Sequence, residues 1–388
     1  MINRNISKEI KLLAKEFPIV AILGPRQSGK TTIAKHIFKD YKYVSLEDYD
    51  KRRMAIDDPR GFLKKYNKNV IIDEAQRAPI LFSYLQTYVD EQKINGSFVL
   101  TGLQNYLMME TISQSLAGRI GLATLLPLSL DELPILKEQS IYKTIFEGFY
   151  PRVFDQKIRP HSFFKTYLNT YLEKDIRLLK NITDYSAFLK FLKLLAGRAG
   201  QILNIKVIAD DVGISPKTVE SWLSVLETSY VIYRLQPFYQ NYNKRVIKHS
   251  KLFFYDVGLV CYLLGIKKPE ELESYYQFGN LFENFVISDL LKYNYNRGEI
   301  VSFYFWKDNH NNEIDLLIES GNNIKVMEIK SAQTFRREFL KNVTKFSKLE
   351  NRKKVKAFLV YSGDENFEYQ TNKILSWKSA VEVYNLDS

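Results

Sequence analysis

The segment that most restricts what this chain can fold into is Gly24–Thr31, GPRQSGKT, which follows the apolar run Ile19–Leu23 and opens a helical pattern. It fits G-x-x-x-x-G-K-[ST] in the strand–loop–helix setting that gives the string its meaning. Glycines at 24 and 29 let the loop wrap closely with its N–H groups turned inward, and the helix opening near Gly29 adds a positive dipole end. Such a cradle suits a phosphate chain. The run Gly24, Pro25, Arg26, Gln27, Ser28, Gly29, Lys30, Thr31 and Thr32 is therefore the expected ATP-binding segment. Lys30 would reach the β and γ phosphates, and the Thr31 hydroxyl would ligate Mg2+.

A second string carries the acidic partners. Asn69–Gln76, NVIIDEAQ, reads as a buried strand ending in two carboxylates. A parallel strand presents its C-terminal end to the ligand crevice, so Asp73 is expected beside the Mg2+. Glu74 is expected to polarise the attacking water as a general base. The next apolar run, Phe98–Thr101, leads into Gly102, Leu103, Gln104 and Asn105. Gln104 is the candidate sensor of the γ-phosphate, with a plain turn as the other reading. Arg119, in SLAGRIG, is either an ordinary surface arginine or a guanidinium that reaches a neighbouring subunit's γ-phosphate and steadies transition-state charge.

Around these strings the first ~100 residues alternate short apolar runs with amphipathic stretches, the signature of a parallel α/β sheet. Strands are expected at Ile19–Leu23, Tyr43–Leu46, Val70–Asp73, Phe98–Thr101 and Leu122–Leu126, with helices such as Thr31–Lys39 and Ile80–Gln92 between them. Arg159–Arg198 reads as helical, with Phe163, Tyr167, Tyr171 and Leu172 at spacings of three and four. The expected units are 1–157, 158–268 and 269–388.

Ile205–Val212 and Pro216–Glu227 read as two helices joined by Gly213-Ile214-Ser215, with Ser215 as N-cap and Pro216 at the first helical position. Ala209, Val212, Ile214, Val219, Trp222, Leu223 and Leu226 are spaced to share a small core, which is a helix-turn-helix pattern. Tyr230–Leu235 and Lys251–Tyr255 would form a winged hairpin around a basic tip holding Lys244, Arg245, Lys248 and Lys251. Tyr239 and Tyr242 interleave with those charges in the sequence and would stack on bases or sugars. Glu220 and Glu227 make the second helix a poor reader of DNA grooves, and a protein-binding winged helix stands as the alternative.

The last third reads as helix Phe278–Tyr293, strands Ile300–Trp306, Glu313–Glu319 and Ile324–Ile329, a further helix and a further strand. Strand alternation puts residues 328 and 330 on one face. Asp315, Glu328 and Lys330 resemble the D…E-x-K core of restriction-endonuclease-like nucleases, the PD-(D/E)XK superfamily. That resemblance implies Glu283 as a supporting acid, Mg2+ (or Mn2+) held by Glu283, Asp315 and Glu328, and Lys330 as the group that orients the nucleophile. Arg336, Arg337, Lys341, Lys345 and Lys348, on the next helix, would attract a phosphate backbone. A strand with surface acids and a salt-bridging lysine is the plainer reading.

The loop at Gly24–Thr31, then DEAQ, TGLQN, SLAGR, PLSLDEL and EGFYPRV, occur in the order seen in a large family of prokaryotic AAA-type ATPases, which this chain resembles over nearly its whole length. The resemblance implies that Gln104 holds the sensor position, Arg119 that of the arginine finger, and that the C-terminal region is one long labelled a domain of unknown function. Leu103 departs from the family's small serine, so a sensor role must rest on Gln104.

Composition adds boundaries. The net charge of +12 and pI near 9.3 suit an anionic partner, DNA here, or reflect a merely lysine-rich chain. Cys261 is the only cysteine, which excludes an intrachain disulfide and a cysteine-rich zinc site. No apolar run is long enough for a membrane span, and the N-terminus lacks a signal-peptide pattern, so a cytoplasmic protein is expected. Together these readings describe an ATP-hydrolysing, homo-oligomeric (for instance hexameric) ATPase that translocates on, remodels or cleaves DNA. The alternative is a nucleotide-switched protein-binding regulator with an inactive nuclease-like domain.

Overall fold

The computed structural model describes residues 2–102, 115–172, 184–238, 249–299, 301–350 and 353–384. Five strands form the first sheet: β1 (Ile19–Leu23), β2 (Lys42–Ser45), β3 (Val70–Asp73), β4 (Phe98–Thr101) and β5 (Ile120–Thr124). They pair in the order β2-β3-β4-β1-β5, every neighbour parallel. All five residues of β1 are buried because the sheet is covered on both faces. Ile19, Ala21 and Leu23 enter one core with Leu81, Phe82 and Leu85 of helix Leu81–Gln92. Val20 and Ile22 enter the other with Ile6 and Ile10 and with Ile33 and Ala34. The helices on that side are α1 (Ser7–Glu16) and α2 (Lys30–Ile37).

The middle of the chain is helical. Helix α3 (Tyr185–Ala196) sends Phe188 and Phe191 edge-on against Trp222. Trp222 lies on α5 (Pro216–Thr228), the second helix of a pair with α4 (Ile205–Val212). Gly213 turns between them at φ +85°, and the Ser215 hydroxyl accepts the Thr218 N–H at 3.0 Å. Ala209, Val212, Val219, Leu223 and Leu226 are buried as the spacing requires. β6 (Ile232–Pro237) and β7 (Lys251–Phe254) follow as an antiparallel hairpin. The acids of α5 do not face solvent alone, since the Arg234 guanidinium on β6 donates to both Glu227 oxygens and to Glu220.

The hairpin is not a free wing. Gln236 and Pro237 of β6 pair in parallel with Tyr304 and Phe305, so β6 and β7 extend the C-terminal sheet. That sheet has eight strands in the order β12-β13-β11-β10-β9-β8-β6-β7. Its further strands are β8 (Phe303–Lys307), β9 (Glu313–Ser320), β10 (Asn323–Lys330), β11 (Lys354–Tyr361), β12 (Phe367–Tyr369) and β13 (Asn372–Ser376). A cut at 268/269 runs through this sheet and through one hydrophobic core that extends from Leu128 to Val383. Helix α6 (Phe278–Tyr295) packs on the sheet, and the next helix is α7 (Lys341–Leu349). Arg336 and Arg337 fall short of α7, in and before a one-turn 3-10 segment at Arg337–Leu340, a correction to their expected place on the helix. No helix among the described residues is long and apolar enough to cross a membrane.

Candidate nucleotide site and C-terminal acidic cluster

The loop at 24–29 joins β1 to α2 at the C-terminal edge of the first sheet. Gly24 has φ +135° and Gly29 φ +98°, both in the range that favours glycine. A Cβ at Gly24 would lie 2.1 Å from the Leu125 carbonyl oxygen, so the loop can pass β5 only without a side chain there. The Lys30 ammonium is buried and folds over the loop, donating to the carbonyls of Gly24 at 2.9 Å and Pro25 at 2.7 Å.

Asp73 ends β3 two strands away from β1, and the side chains close the gap. The Thr31 hydroxyl donates to Asp73 Oδ1 at 2.9 Å, Tyr43 to Oδ2 at 2.8 Å, and Thr101 on the intervening β4 also to Oδ1. A hydroxyl and a carboxylate meeting beside a phosphate loop are a hard-oxygen donor pair of the kind Mg2+ takes along with phosphate oxygens and water. Burial, then the bond to Asp73, pushes the Tyr43 phenol up to about 12. Glu74 sits at φ +54° with its carboxylate bonded to the Gln76 amide, and burial raises its pKa despite Arg26 and Lys30 nearby. Gly102, at φ +98°, backs against Glu74; a Cβ there would lie 2.7 Å from the Glu74 Cα. A cavity of about 220 Å³ opens beside the loop between Gln27, Thr32 and Ile33 on one side and Pro151, Arg152 and Gln156 on the other.

Several site residues carry no signal in the local sequence. Tyr43 and Thr101 read as strand residues, and Arg4 as part of an N-terminal helix. Arg4 is buried and donates to the Ser28 carbonyl at 2.7 Å, the Leu126 carbonyl at 2.8 Å and Glu132 Oε1 at 3.0 Å. Glu132 in turn closes a capping box with Ser129 in PLSLDEL. Gln104 lies outside the described residues. Arg119 is bonded within its own chain to both oxygens of Asp90, at 2.6 and 2.8 Å.

In the C-terminal sheet Asp315, Glu328 and Lys330 meet as alternation requires. The Lys330 ammonium lies 2.6 Å from Glu328 Oε2 and 3.5 Å from Asp315 Oδ2, and the Ile329 N–H donates to Asp315 Oδ2 at 2.8 Å. Burial, then the neighbouring Asp315, raises the Glu328 pKa; Asp315 is held low against its own burial by Lys330 and Lys251. Glu283 on α6 joins them from the side, 2.9 Å from the Lys251 ammonium. Lys251 is a correction: instead of standing on a basic hairpin tip it is 3% exposed and locked among acids. Tyr239, Tyr242, Lys244, Arg245 and Lys248 lie outside the described residues. Arg336, Arg337, Lys341 and Lys348 are exposed, whereas Lys345 is half-buried 3.7 Å from Asp308.

Comparison with known proteins divides the chain in three. Residues 16–134 match the family described as AAA domain, residues 138–270 a domain of unknown function (DUF8612), and residues 278–380 another (DUF4143). Uncharacterized proteins of Mycobacterium tuberculosis and Mycobacterium bovis are each 26% identical over 339 residues, 85% of this chain and 74% of theirs. Among solved structures, the Walker-type ATPase of Pyrococcus abyssi is 13% identical with a TM-score of 0.45, over 68% of this chain and 96% of that one.

Proposed function

From the premise that the N-terminal unit is an AAA-type P-loop ATPase domain, we propose that this chain binds Mg-ATP on Gly24–Thr32 and hydrolyses it, with the C-terminal half engaging DNA. The observation that carries the reading is the Thr31–Asp73 hydrogen bond, which joins the end of the phosphate loop to the acidic end of β3. Thr31 and Asp73 would hold Mg2+, which when bound neutralises phosphate charge. Lys30 leaves the loop carbonyls to pair with the β and γ phosphates, and the Gly24–Gly29 amides orient the chain. Glu74 takes the proton of the attacking water; its burial favours the proton it must accept. The purine-sized cavity beside Thr32 and Arg152 receives the base. Gln104 senses the γ-phosphate, and Arg119, released from Asp90, serves the neighbouring site of a homo-oligomer.

Coupling to DNA is supported by the net charge of +12, the helix-turn-helix geometry of α4 and α5, and the exposed Arg336, Arg337, Lys341 and Lys348. The test is phosphate release with and without single-stranded, duplex and branched DNA. At least one DNA form is expected to raise turnover, and Glu74→Gln to lower it roughly a hundredfold while nucleotide still binds. Turnover indifferent to every DNA form would remove the coupling and leave the regulator reading, in which the helix-turn-helix unit binds protein.

A further inference from the structure

Metal-dependent cleavage needs a cation at Asp315, Glu328 and Glu283, and the geometry around them supplies one of a different kind. These three carboxylates are each less than a tenth exposed, and Glu313 stands beside them on β9. Buried carboxylates must be neutralised by hydrogen bonds, by a counter-ion or by a metal. Here the chain's own ammoniums do most of it, and Glu328 Oε1 is left as a buried oxygen without a hydrogen-bond partner. Lys251, the first residue of β7, contacts Glu313 and lies 2.9 Å from Glu283 Oε1. Lys307 holds the second Glu313 oxygen at 2.7 Å, and Lys330 spans Glu328 and Asp315. Four carboxylates thus face three ammoniums. Among the described residues no group of three or more His, Cys, Asp or Glu side chains is arranged to hold a metal ion.

We propose that the Lys251 ammonium is the resident cation on the Glu283 and Glu313 side of this cluster, as Lys330 is between Asp315 and Glu328, so that the C-terminal domain works without a divalent ion. A metal drawn to Glu283 and Asp315 would meet a like charge that is itself 3% exposed. The same ammonium clasps that hairpin to α6 and β9, and therefore ties the helix-turn-helix unit to the sheet. The inference holds whether or not the loop at Gly24–Thr31 hydrolyses ATP.

The test is Mn2+ binding to the nucleotide-free full-length protein, read as loss of the free-ion electron paramagnetic resonance signal. Asp73→Asn is present in every arm to silence the carboxylate near the phosphate loop. The protein with Lys251 intact is expected to bind no stoichiometric Mn2+. Lys251→Ala, and the better-packed Lys251→Met, are expected to gain one equivalent with affinity raised roughly tenfold or more, a gain that adding Asp315→Asn removes. Stoichiometric Mn2+ in the Lys251 protein that Asp315→Asn abolishes would overturn the proposal. So would folded Lys251 variants that gain nothing. If neither variant folds, the titration of the Lys251 protein and its Asp315→Asn form decides alone.

Discussion

Gly24 and Gly102 hold the candidate nucleotide site together through what they lack. At Gly24 the conformation is left-handed and the Leu125 carbonyl occupies the space of a Cβ; at Gly102 the Glu74 backbone does. A non-glycine residue in such a conformation costs about 1–3 kcal/mol before any clash is counted. Gly24→Ala is therefore expected to lower the melting temperature and to weaken nucleotide binding by more than tenfold, since the loop amides must move to make room. Thermal melting and a nucleotide titration of the variant check this; unchanged values in both would mean the loop tolerates displacement. Asp73 shows how little room the site leaves for approximate substitution, because three hydroxyls from three elements converge on its two oxygens.

At the scale of elements, β1, β3 and β4 are readable to the residue because each is an apolar run closed by a turn residue or a carboxylate. α4 is equally legible, since Gly213 and the Ser215–Pro216 cap mark where one helix stops and the next starts. β5 begins two residues earlier than hydrophobicity indicates, because pairing to β1 and not side-chain polarity sets its start at Ile120. Two features stay hidden for one physical reason: they depend on partners far away in sequence. The β6–β8 junction rests on two paired residues 68 positions from their partners, Gln236 with Tyr304 and Pro237 with Phe305. Lys251 reads as one more basic residue until Glu283 and Glu313 are brought to it. Arg4 belongs to the same class, and it links the phosphate loop to the 126–132 segment. Arg4→Met leaves Glu132 buried without its charged partner, though the Asn5 and Ser129 N–H groups still donate to it, a change that costs up to about 3–5 kcal/mol in such settings. Denaturant unfolding is expected to show a loss of that order, with part of it regained in Arg4→Met/Glu132→Gln. A loss below about 1 kcal/mol would mean that the Asn5 N–H and the capping box with Ser129 satisfy Glu132 without a cation.

Across the whole molecule the phosphate-loop unit and the C-terminal sheet are joined by buried polar contacts. Asp289 on α6 accepts the Leu130 N–H at 2.7 Å, and Asp256 accepts the Phe149 N–H at 2.7 Å. Lys292 is buried nearby, 4.2 Å above the Phe149 ring. Burial pushes the Asp289 carboxyl up from 3.8 to about 6 despite the charge of Lys292. The folded state therefore holds this proton more tightly than the unfolded chain. Stability from this group is full below about pH 4 and is lost as pH rises through about 6, to the extent of about 3 kcal/mol at most. Asp289→Asn keeps an acceptor for Leu130 and cannot ionise, so it is expected to gain stability relative to the parent as pH rises from about 4 to 7. Denaturant midpoints of both proteins across that range check the sign; a difference independent of pH would contradict it.

The account rests on the amides of one loop and the carboxylate of one strand sharing a nucleotide. Calorimetric titration of ADP and of a non-hydrolysable ATP analogue, with and without Mg2+, into the parent protein and Lys30→Ala tests this most directly. Binding to the parent that Mg2+ strengthens and that Lys30→Ala weakens by roughly a hundredfold is the expected result. No adenine-nucleotide affinity in the parent, or equal affinity in both proteins, would contradict it.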